Sequence, residues 1–366
     1  MTAAGAAEAM ARGIVSVRQD VQIDRCPIAD GGDGTVEALL AATGGQEHVT
    51  RVSGPLGNPV EAQWGILGRR EGDSVTAVIE MAAASGMALL DKARRDPTKT
   101  STFGTGQLMA AALDAGAQRI ILGIGGSATN DAGCGAVSAL GGRFFDGSGN
   151  ILAEPITGAM VGQIERIDLS ALDRRLESVR IVVACDVTNP LTGPDGAAHI
   201  FGPQKGASAA QIDQLDAALG HFSKLVKRQL GKDVQQMPGA GAAGGMGAGT
   251  VALLGATLQG GIEMVLDAVG FTRRVAGCDL CLTGEGRLDG QSLSGKACLG
   301  VARAAAAAGV PTVALVGALG ADAHRTLEAG LRSYHIIGEG LAPEESIRRG
   351  AQLLEKCAGR VVQSLG

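Results

Sequence analysis

Two kinds of segment alternate along most of this chain. Short runs rich in β-branched residues are followed by longer alanine-rich segments whose apolar residues recur at helical spacing. This alternation is typical of βαβ units, in which parallel strands are joined by helices, so it predicts an α/β fold with parallel sheet. The predicted strands span residues 118–122, 180–184, 280–283, 312–316 and 334–337, and the predicted helices span residues 3–14, 105–117, 209–230, 296–308 and 344–362.

Residues 49–80 depart from this alternation. Here short strand-like runs follow one another directly and are separated by turns that contain Gly and Pro. That pattern predicts antiparallel strands. A mixed-sheet segment inside an α/β chain indicates a second domain.

The composition excludes several classes of protein. Of 366 residues, 45% are hydrophobic and 19% charged, as in a globular protein. The net charge is −5 and there are only six Phe, one Tyr and one Trp, so a basic, aromatic surface for nucleic acid is not expected. Apolar runs are too short for a membrane span, and no signal-peptide pattern opens the chain.

Seven cysteines are scattered without a disulfide framework, which suits a reducing compartment. Cys278 and Cys281 form a C-x-x-C pair, but they lie in an apolar run that predicts a buried strand. We therefore expect a cytoplasmic protein without a zinc or redox site at this pair.

Glycine is enriched, with 58 residues that cluster in loops. The first cluster, residues 27–35, follows a predicted strand at residues 21–28 and precedes a helix. Gly31 and Gly32 allow a tight turn, and the helix start can hold an anion. Asp30 and Asp33 suit Mg²⁺ binding or acceptance of a hydroxyl proton. A turn with an Asp N-cap explains the same residues equally well.

The second cluster, residues 123–133, follows the strand-like run RIIL. It matches the dinucleotide fingerprint only weakly, and Asp146, at the distance of a ribose-binding acid, lies in a segment that predicts a hairpin turn. Gly125 and Gly126 are followed closely by polar residues, which favours ligand binding over packing. These residues are Ser127, Thr129, Asn130 and Asp131.

The third cluster, residues 283–296, ends in G-x-x-x-x-G-K, but Ala297 replaces the Ser or Thr of a P-loop. A P-loop is therefore not predicted. Lys296 can still neutralise a phosphate as a point charge, or it is a solvated lysine near a helix start. The segment 238–249 has almost no side chains to pack, which predicts a lid, a hinge or a helix start pressed against a ligand.

None of the five histidines lies in a catalytic or metal-binding spacing. By elimination, carboxylates, lysine and backbone amides would carry the chemistry. That inventory suits phosphoryl transfer, where positioning and charge neutralisation lower most of the barrier.

Together, these loops resemble signatures of the type I glycerate kinase family. The resemblance rests on PIADGGDGT, GIGGSATNDAG, CDVTNPLTGPDGAA, FGPQKGA, PGAGAAGGMGAG and LTGEGRLDGQSLSGK, in the family's order. It implies phosphorylation of D-glycerate by ATP with Mg²⁺, most often at the 2-hydroxyl. It also implies two α/β domains with the active site between them.

The resemblance lets us predict the domain limits. A flavodoxin-like, parallel-sheet domain would combine residues 1–45 with residues 267–366, and an inserted restriction-endonuclease-like domain with a mixed sheet would span residues 46–266. Family members begin with a strand and loop before the first helix, and this chain begins at the helix. We expect the lack of that strand, interior in such a sheet, to expose apolar faces beside residues 21–28.

The candidate catalytic residues are Asp30, Asp131, Asp186 and Lys296. Asp186 or Asp131 would be the base, Lys296 or Lys205 would serve phosphate, Arg287 is a candidate for the substrate carboxylate, and Asp30 or Asp289 could bind Mg²⁺. The candidate binding residues are Gly31, Gly32, Asp33, Gly125, Gly126, Ser127, Asn130, Asn189, Lys205, Gly284, Glu285, Arg287, Asp289, Gln291 and Ser292.

Two other functions stay open at this point. The glycine pattern at residues 123–128 would allow an NAD-dependent oxidoreductase, and the same scaffold could serve as a non-catalytic sugar-phosphate-binding protein. A small-molecule substrate and a homodimer are the expected partners, with no nucleic acid and no membrane.

Overall fold

The computed structural model describes residues 1–28, 34–68, 74–290, 292 and 297–365. The chain divides into two compact units. Unit 1 comprises Met1–Asp30, Glu37–Thr43 and Ile262–Gly366, and unit 2 comprises Gly31–Val36 and Gly44–Gly261.

The strands, in chain order, are β1 Gln46–Ser53, β2 Pro59–Ile66, β3 Thr76–Glu80, β4 Arg119–Gly123, β5 Arg143–Phe145, β6 Arg166–Asp168, β7 Arg180–Ala184, β8 Thr257–Gln259, β9 Cys281–Leu288, β10 Thr312–Leu319 and β11 Ser333–Ile336. The α-helices are α1 Ala3–Val15, α2 Thr35–Thr43, α3 Ala82–Ser85, α4 Phe103–Asp114, α5 Cys134–Ala139, α6 Gly158–Val161, α7 Ala197–Phe201, α8 Ala209–Leu230, α9 Ala242–Leu254, α10 Gly261–Ala268, α11 Phe271–Val275, α12 Ala297–Ala307, α13 Arg325–Glu328, α14 Pro343–Arg348 and α15 Gly350–Leu365.

Unit 1 contains a parallel sheet with strand order β11-β10-β9. Successive residues of β10 point to opposite faces of the sheet. Val313 and Leu315 pack in one apolar cluster with α1 and α15, whereas Ala314 and Val316 pack in another with α12. The sheet is therefore covered by helices on both faces, as parallel sheets are.

Unit 2 is built on a mixed sheet with strand order β1-β2-β3-β4-β7-β8. The pairs β1–β2 and β2–β3 are antiparallel, and the pairs from β3 to β8 are parallel. A large apolar cluster packs α4 against this sheet, and a second packs α8 and α9 with β5 and β6. The parallel half of the sheet is thus buried, while β1 lies at its edge.

The α/β class, with a parallel sheet and a mixed sheet, is confirmed. The predicted strand at residues 21–28 is wrong, because these residues have no strand conformation and no hydrogen-bonded strand neighbour in the described part of the chain. The predicted buried strand at the C-x-x-C pair is wrong for Cys278, which is exposed and precedes β9. The predicted domain limits and domain folds stay predictions.

A search of the described residues finds no helix long and apolar enough to cross a membrane.

Candidate active site

The carboxyl ends of the parallel strands of unit 2 form one row of paired residues. Glu80 pairs with Gly123, Gly123 with Ala184, and Ala184 with Gln259. Ligands of open α/β sheets bind outside such carboxyl ends. The loops that leave this row, after β3, β4 and β7, are therefore the first place to look for an active site.

The loop after β4 ends in an exposed glycine tip. Among the described residues, no atom lies within 4 Å of the position where a Cβ on Gly125 would sit. Gly126 has φ +68, a conformation that favours glycine. Within the described residues, the N–H groups of Gly125 and Gly126 have no hydrogen-bond acceptor. Two free, adjacent amides at the end of a strand can bind an anion.

The polar residues that follow the tip are buried. Ser127, Thr129, Asn130 and Asp131 are 6%, 0%, 1% and 0% exposed. In the part of the chain that the structure describes, the Thr129 hydroxyl and both polar atoms of the Asn130 side chain have no hydrogen-bond partner. Unpaired polar groups are costly in an interior, so these three atoms are open to an incoming polar partner.

Asp131 is held by four donors. Its Oδ2 accepts hydrogen bonds from the N–H (2.7 Å) and hydroxyl (2.7 Å) of Thr102 and from the N–H of Gly135 (3.2 Å), and its Oδ1 accepts from the N–H of Gly133 (3.2 Å). Burial raises the pKa of Asp131, although these hydrogen bonds oppose the shift. This enclosed carboxylate fixes the start of α5 and does not fit the prediction that it takes a substrate proton.

Lys205 is also buried, with 1% of its surface exposed. Its Nζ donates to the carbonyl oxygen of Thr129 at 2.7 Å. Burial lowers the pKa of Lys205 to about 7, although the charge of Asp131 acts in the opposite direction. Lys205 thus lies beneath the loop after β4, where it is closed to solvent.

Asp186, two residues beyond β7, is exposed. Its Oδ1 accepts a hydrogen bond from the N–H of Gly261 at 2.7 Å, which fixes the carboxylate without enclosing it. Asn189 instead donates its amide to the carbonyl oxygen of Asp195 (2.8 Å) and closes the loop that follows. Asp186 is therefore an accessible carboxylate at the carboxyl edge of the sheet.

Glu80 was not predicted as a site residue. It ends β3, and its Oε1 accepts a hydrogen bond from the N–H of Val36 at 3.0 Å. It therefore fastens the chain just after the first glycine cluster to the carboxyl edge of the sheet. The only sequence signal for Glu80 was an acidic residue at the end of an apolar strand, and such a residue is too common to indicate a site.

The glycine-rich segment 238–249 is not a lid, because it leads into the buried helix α9. Ala243, Gly244 and Gly245 have left-handed φ values. A Cβ on Gly244 would lie 2.1 Å from the carbonyl oxygen of Thr129, and one on Gly249 would lie 1.8 Å from that of Ala132. Glycine lets this segment press directly against the loop after β4, so a packing role explains these two glycines.

Four predicted residues of unit 1 lie together around the end of β9. The hydroxyl of Ser292 donates to Glu285 Oε1 (2.7 Å) and accepts from the N–H of Asp289 (3.2 Å). Arg287 Nε lies 3.3 Å from Asp289 Oδ2, and its side chain is 67% exposed. Gly284 has a different reason to be glycine, since a Cβ there would lie 2.3 Å from the carbonyl oxygen of Leu315.

Asp30, Gly31, Gly32, Asp33, Gln291 and Lys296 lie outside the described residues. Their predicted roles stay predictions.

Asp146 occupies the hairpin turn that was predicted for it. Its Oδ1 accepts hydrogen bonds from the N–H groups of Ser148 and Asn150, both at 2.9 Å. The turn is closed by an antiparallel β-bridge between Phe145 and Ile151. Its carboxylate serves the turn, which argues against a ribose-binding role.

Comparisons with known proteins agree with one another. The profile of the glycerate kinase family matches residues 1–366. A glycerate kinase of Bacillus subtilis (strain 168) is 45% identical over 366 residues, which are 100% of this chain and 94% of the relative. A glycerate 2-kinase of Escherichia coli (strain K12) is 46% identical over 351 residues, which are 96% of this chain and 91% of the relative.

A crystal structure described as glycerate kinase 2 from Salmonella typhimurium LT2 is similar to this fold, with a TM-score of 0.88 and 43% identity. The match covers 100% of this chain and 94% of that one.

Proposed function

Because the chain belongs to the glycerate kinase family, we propose that it transfers the γ-phosphoryl group of ATP to the 2-hydroxyl of D-glycerate. The choice of the 2-hydroxyl is supported by the E. coli relative, which is named a glycerate 2-kinase. The observation in this structure that carries the proposal is the exposed carboxylate of Asp186 at the same sheet edge as the bare Gly125–Gly126 tip.

Asp186 is the proposed general base. Its carboxylate takes the proton of the glycerate 2-hydroxyl as that oxygen attacks the γ-phosphorus of ATP. The new O–P bond forms while the bond from the γ-phosphorus to the bridging oxygen breaks, and ADP leaves with the electron pair. The N–H groups of Gly125 and Gly126, which have no acceptor among the described residues, would bind phosphate oxygens.

The donor chemistry of the unit 1 cluster fits Mg²⁺. Glu285 Oε1 accepts from the Ser292 hydroxyl, and Asp289 Oδ2 lies 3.3 Å from Arg287 Nε, so both residues offer hard carboxylate oxygens. Mg²⁺ in kinases commonly uses one or two carboxylates together with phosphates and water. No group of three or more His, Cys, Asp or Glu that could hold a metal occurs among the described residues. We propose that Glu285 and Asp289 hold Mg²⁺, which supplies charge neutralisation when bound with ATP.

All seven cysteines are free thiols, which supports our proposal that the protein works in the reducing cytoplasm. A homodimer stays a prediction from the sequence.

A coupled assay of ADP release tests the proposed function. Wild-type protein with ATP, Mg²⁺ and D-glycerate should release ADP, and omission of D-glycerate should abolish the signal. Reduction of NAD⁺ without ADP release would instead establish an oxidoreductase. Tight binding of glycerate or its phosphates without turnover would establish a non-catalytic binding protein.

A further inference from the structure

A pocket of about 320 Å³ lies in unit 2, and none of the residues that line it belongs to the row of strand ends described above. It is lined by Arg94, Arg95 and Lys99, which follow α3 in the chain, and by Asp96, Gly206 and Gln211. This volume lies at the small end of ligand-binding pockets. Three cations face one carboxylate, so the lining carries an excess of positive charge.

The carboxylate of Asp96 is already occupied by neighbouring donors. It accepts from the N–H and hydroxyl of Thr98 (3.0 and 2.6 Å) and from Gln211 Nε2 (3.1 Å), and it pairs with Lys99 Nζ at 2.9 Å. Partial burial opposes its ionisation, but the hydrogen bonds outweigh burial and hold the pKa of Asp96 below its usual value. Asp96 therefore compensates Lys99 and leaves the two arginines uncompensated.

The two arginines have donors to spare. Within the described residues, Arg94 forms no ion pair and no side-chain hydrogen bond. Arg95 donates from Nη2 to the carbonyl oxygen of Met87 at 3.3 Å, while its Nε is shut from solvent without an acceptor. A guanidinium group with unused donors suits a carboxylate or a phosphate, which it can bind through two parallel hydrogen bonds.

The walls of the pocket are held in place before any ligand arrives. Gly206 has φ +90, and a Cβ on it would lie 2.3 Å from the carbonyl oxygen of Arg95. Gln211 belongs to the first turn of the 22-residue helix α8, where it completes a capping box with Ser208. The positive end of that helix dipole adds to the charge of the arginines.

We propose that this pocket binds a small organic anion with at least two negative charges, such as a phosphorylated carboxylic acid, through Arg94 and Arg95. One chain of contacts links it to the proposed active site. Arg95 bonds the carbonyl oxygen of Met87, and the N–H of Met87 donates to the carbonyl oxygen of Gly126 at 2.9 Å. An anion that moves the Arg95 guanidinium would therefore change its hydrogen bond to Met87, whose N–H in turn holds Gly126.

Isothermal titration calorimetry at low salt tests the proposal with three probes: inorganic phosphate, D-glycerate and 2-phosphoglycerate. Three variants are compared with wild type. Arg94→Ala removes an exposed guanidinium, and Arg95→Lys keeps the charge but loses the planar fork. Arg51→Ala is the matched control, because Arg51 is an exposed arginine of the same unit that forms no ion pair with the described residues.

We expect 2-phosphoglycerate or inorganic phosphate to bind wild type and the Arg51→Ala variant equally, and to bind Arg94→Ala and Arg95→Lys at least about tenfold more weakly. D-glycerate carries a single charge, so the two arginine substitutions should not weaken its binding. Added salt should weaken the same binding event. D-glycerate and 2-phosphoglycerate can also bind the proposed active site, so only the part of their binding that Arg94→Ala and Arg95→Lys weaken is assigned to the pocket. No binding of any probe, or equal binding to all four proteins, would overturn the proposal. The binding readout does not depend on glycerate phosphorylation.

Discussion

Replacement of Asp131 by asparagine distinguishes a structural role of this carboxylate from a catalytic one. The new amide side chain would keep one oxygen for the three donors now bound by Oδ2, but these bonds would lose their charge assistance. Its NH₂ group would then face the N–H of Gly133, which donates to Oδ1 in the wild type. The side chain is fully buried, so water cannot replace the lost bond.

The free-energy cost follows from these contacts. A hydrogen bond to a charged group contributes about 1.5–3 kcal/mol, a neutral one about 0.5–1.5, and an unsatisfied buried donor costs about 1–3. Relief of the buried charge offsets part of this loss. We expect Asp131→Asn to lower the free energy of unfolding by about 2–4 kcal/mol.

The single tryptophan makes the assay specific to unit 2. Trp64 is 3% exposed in β2, so its fluorescence during urea unfolding reports on the unit that contains Asp131. Asp91→Asn is the control, since Asp91 is an exposed acid of the same unit, and its replacement should change stability by less than about 0.5 kcal/mol. Unchanged stability of Asp131→Asn with turnover per folded molecule reduced about 10²-fold or more would refute the structural role.

Three further predictions concern the same sheet edge. Asp186→Asn keeps an oxygen for the N–H of Gly261 but cannot take a proton. We therefore expect kcat to fall at least about 10²-fold, with little change in the urea unfolding followed by Trp64 fluorescence. A near-normal kcat would exclude Asp186 as the base. The pKa of Lys205 is about 10.4 in the unfolded chain, and burial lowers it to about 7 in the folded protein. The unfolded state therefore binds more protons between these pH values, so the stability of the wild type should rise relative to that of Lys205→Met by up to about 1.4 kcal/mol per pH unit in this range. A stability difference that does not change with pH would contradict the low pKa. In the described part of the chain, Gly125→Ala meets no atom within 4 Å, whereas Gly126→Ala forces φ +68 on alanine. Only Gly126→Ala should therefore lose about 1 kcal/mol of stability. Gly125→Ala should raise the KM for ATP, and a normal KM would exclude phosphate binding at the tip.

Much of the fold could be predicted because local pattern and tertiary structure agree. The strand β7 and the helix α8 have the limits that the sequence predicted, since each is a clear periodic run between turn signals. Residues 21–28 look equally strand-like in sequence, but a strand also needs a neighbour to bond with, and no local pattern reveals that.

The candidate site was harder to predict for the same reason. Asp131 stands among glycines and polar residues, as a catalytic acid would, and only the positions of Thr102, Gly133 and Gly135 show that its oxygens are occupied. Glu80 gave only the weak signal of an acid at a strand end, because its importance comes from the register that sets it beside Gly123. Residue type and spacing identify which loops matter, whereas burial and hydrogen bonding decide what each side chain does there.

The most direct test of glycerate 2-phosphorylation is the identity of the product. Wild-type protein would be incubated with ATP, Mg²⁺ and D-glycerate, and the product passed to enolase, which converts 2-phosphoglycerate but not 3-phosphoglycerate to phosphoenolpyruvate. We expect one molecule of product that enolase converts to phosphoenolpyruvate for each ADP released. ADP release without an enolase substrate, or no ADP release by folded protein, would contradict the proposed function.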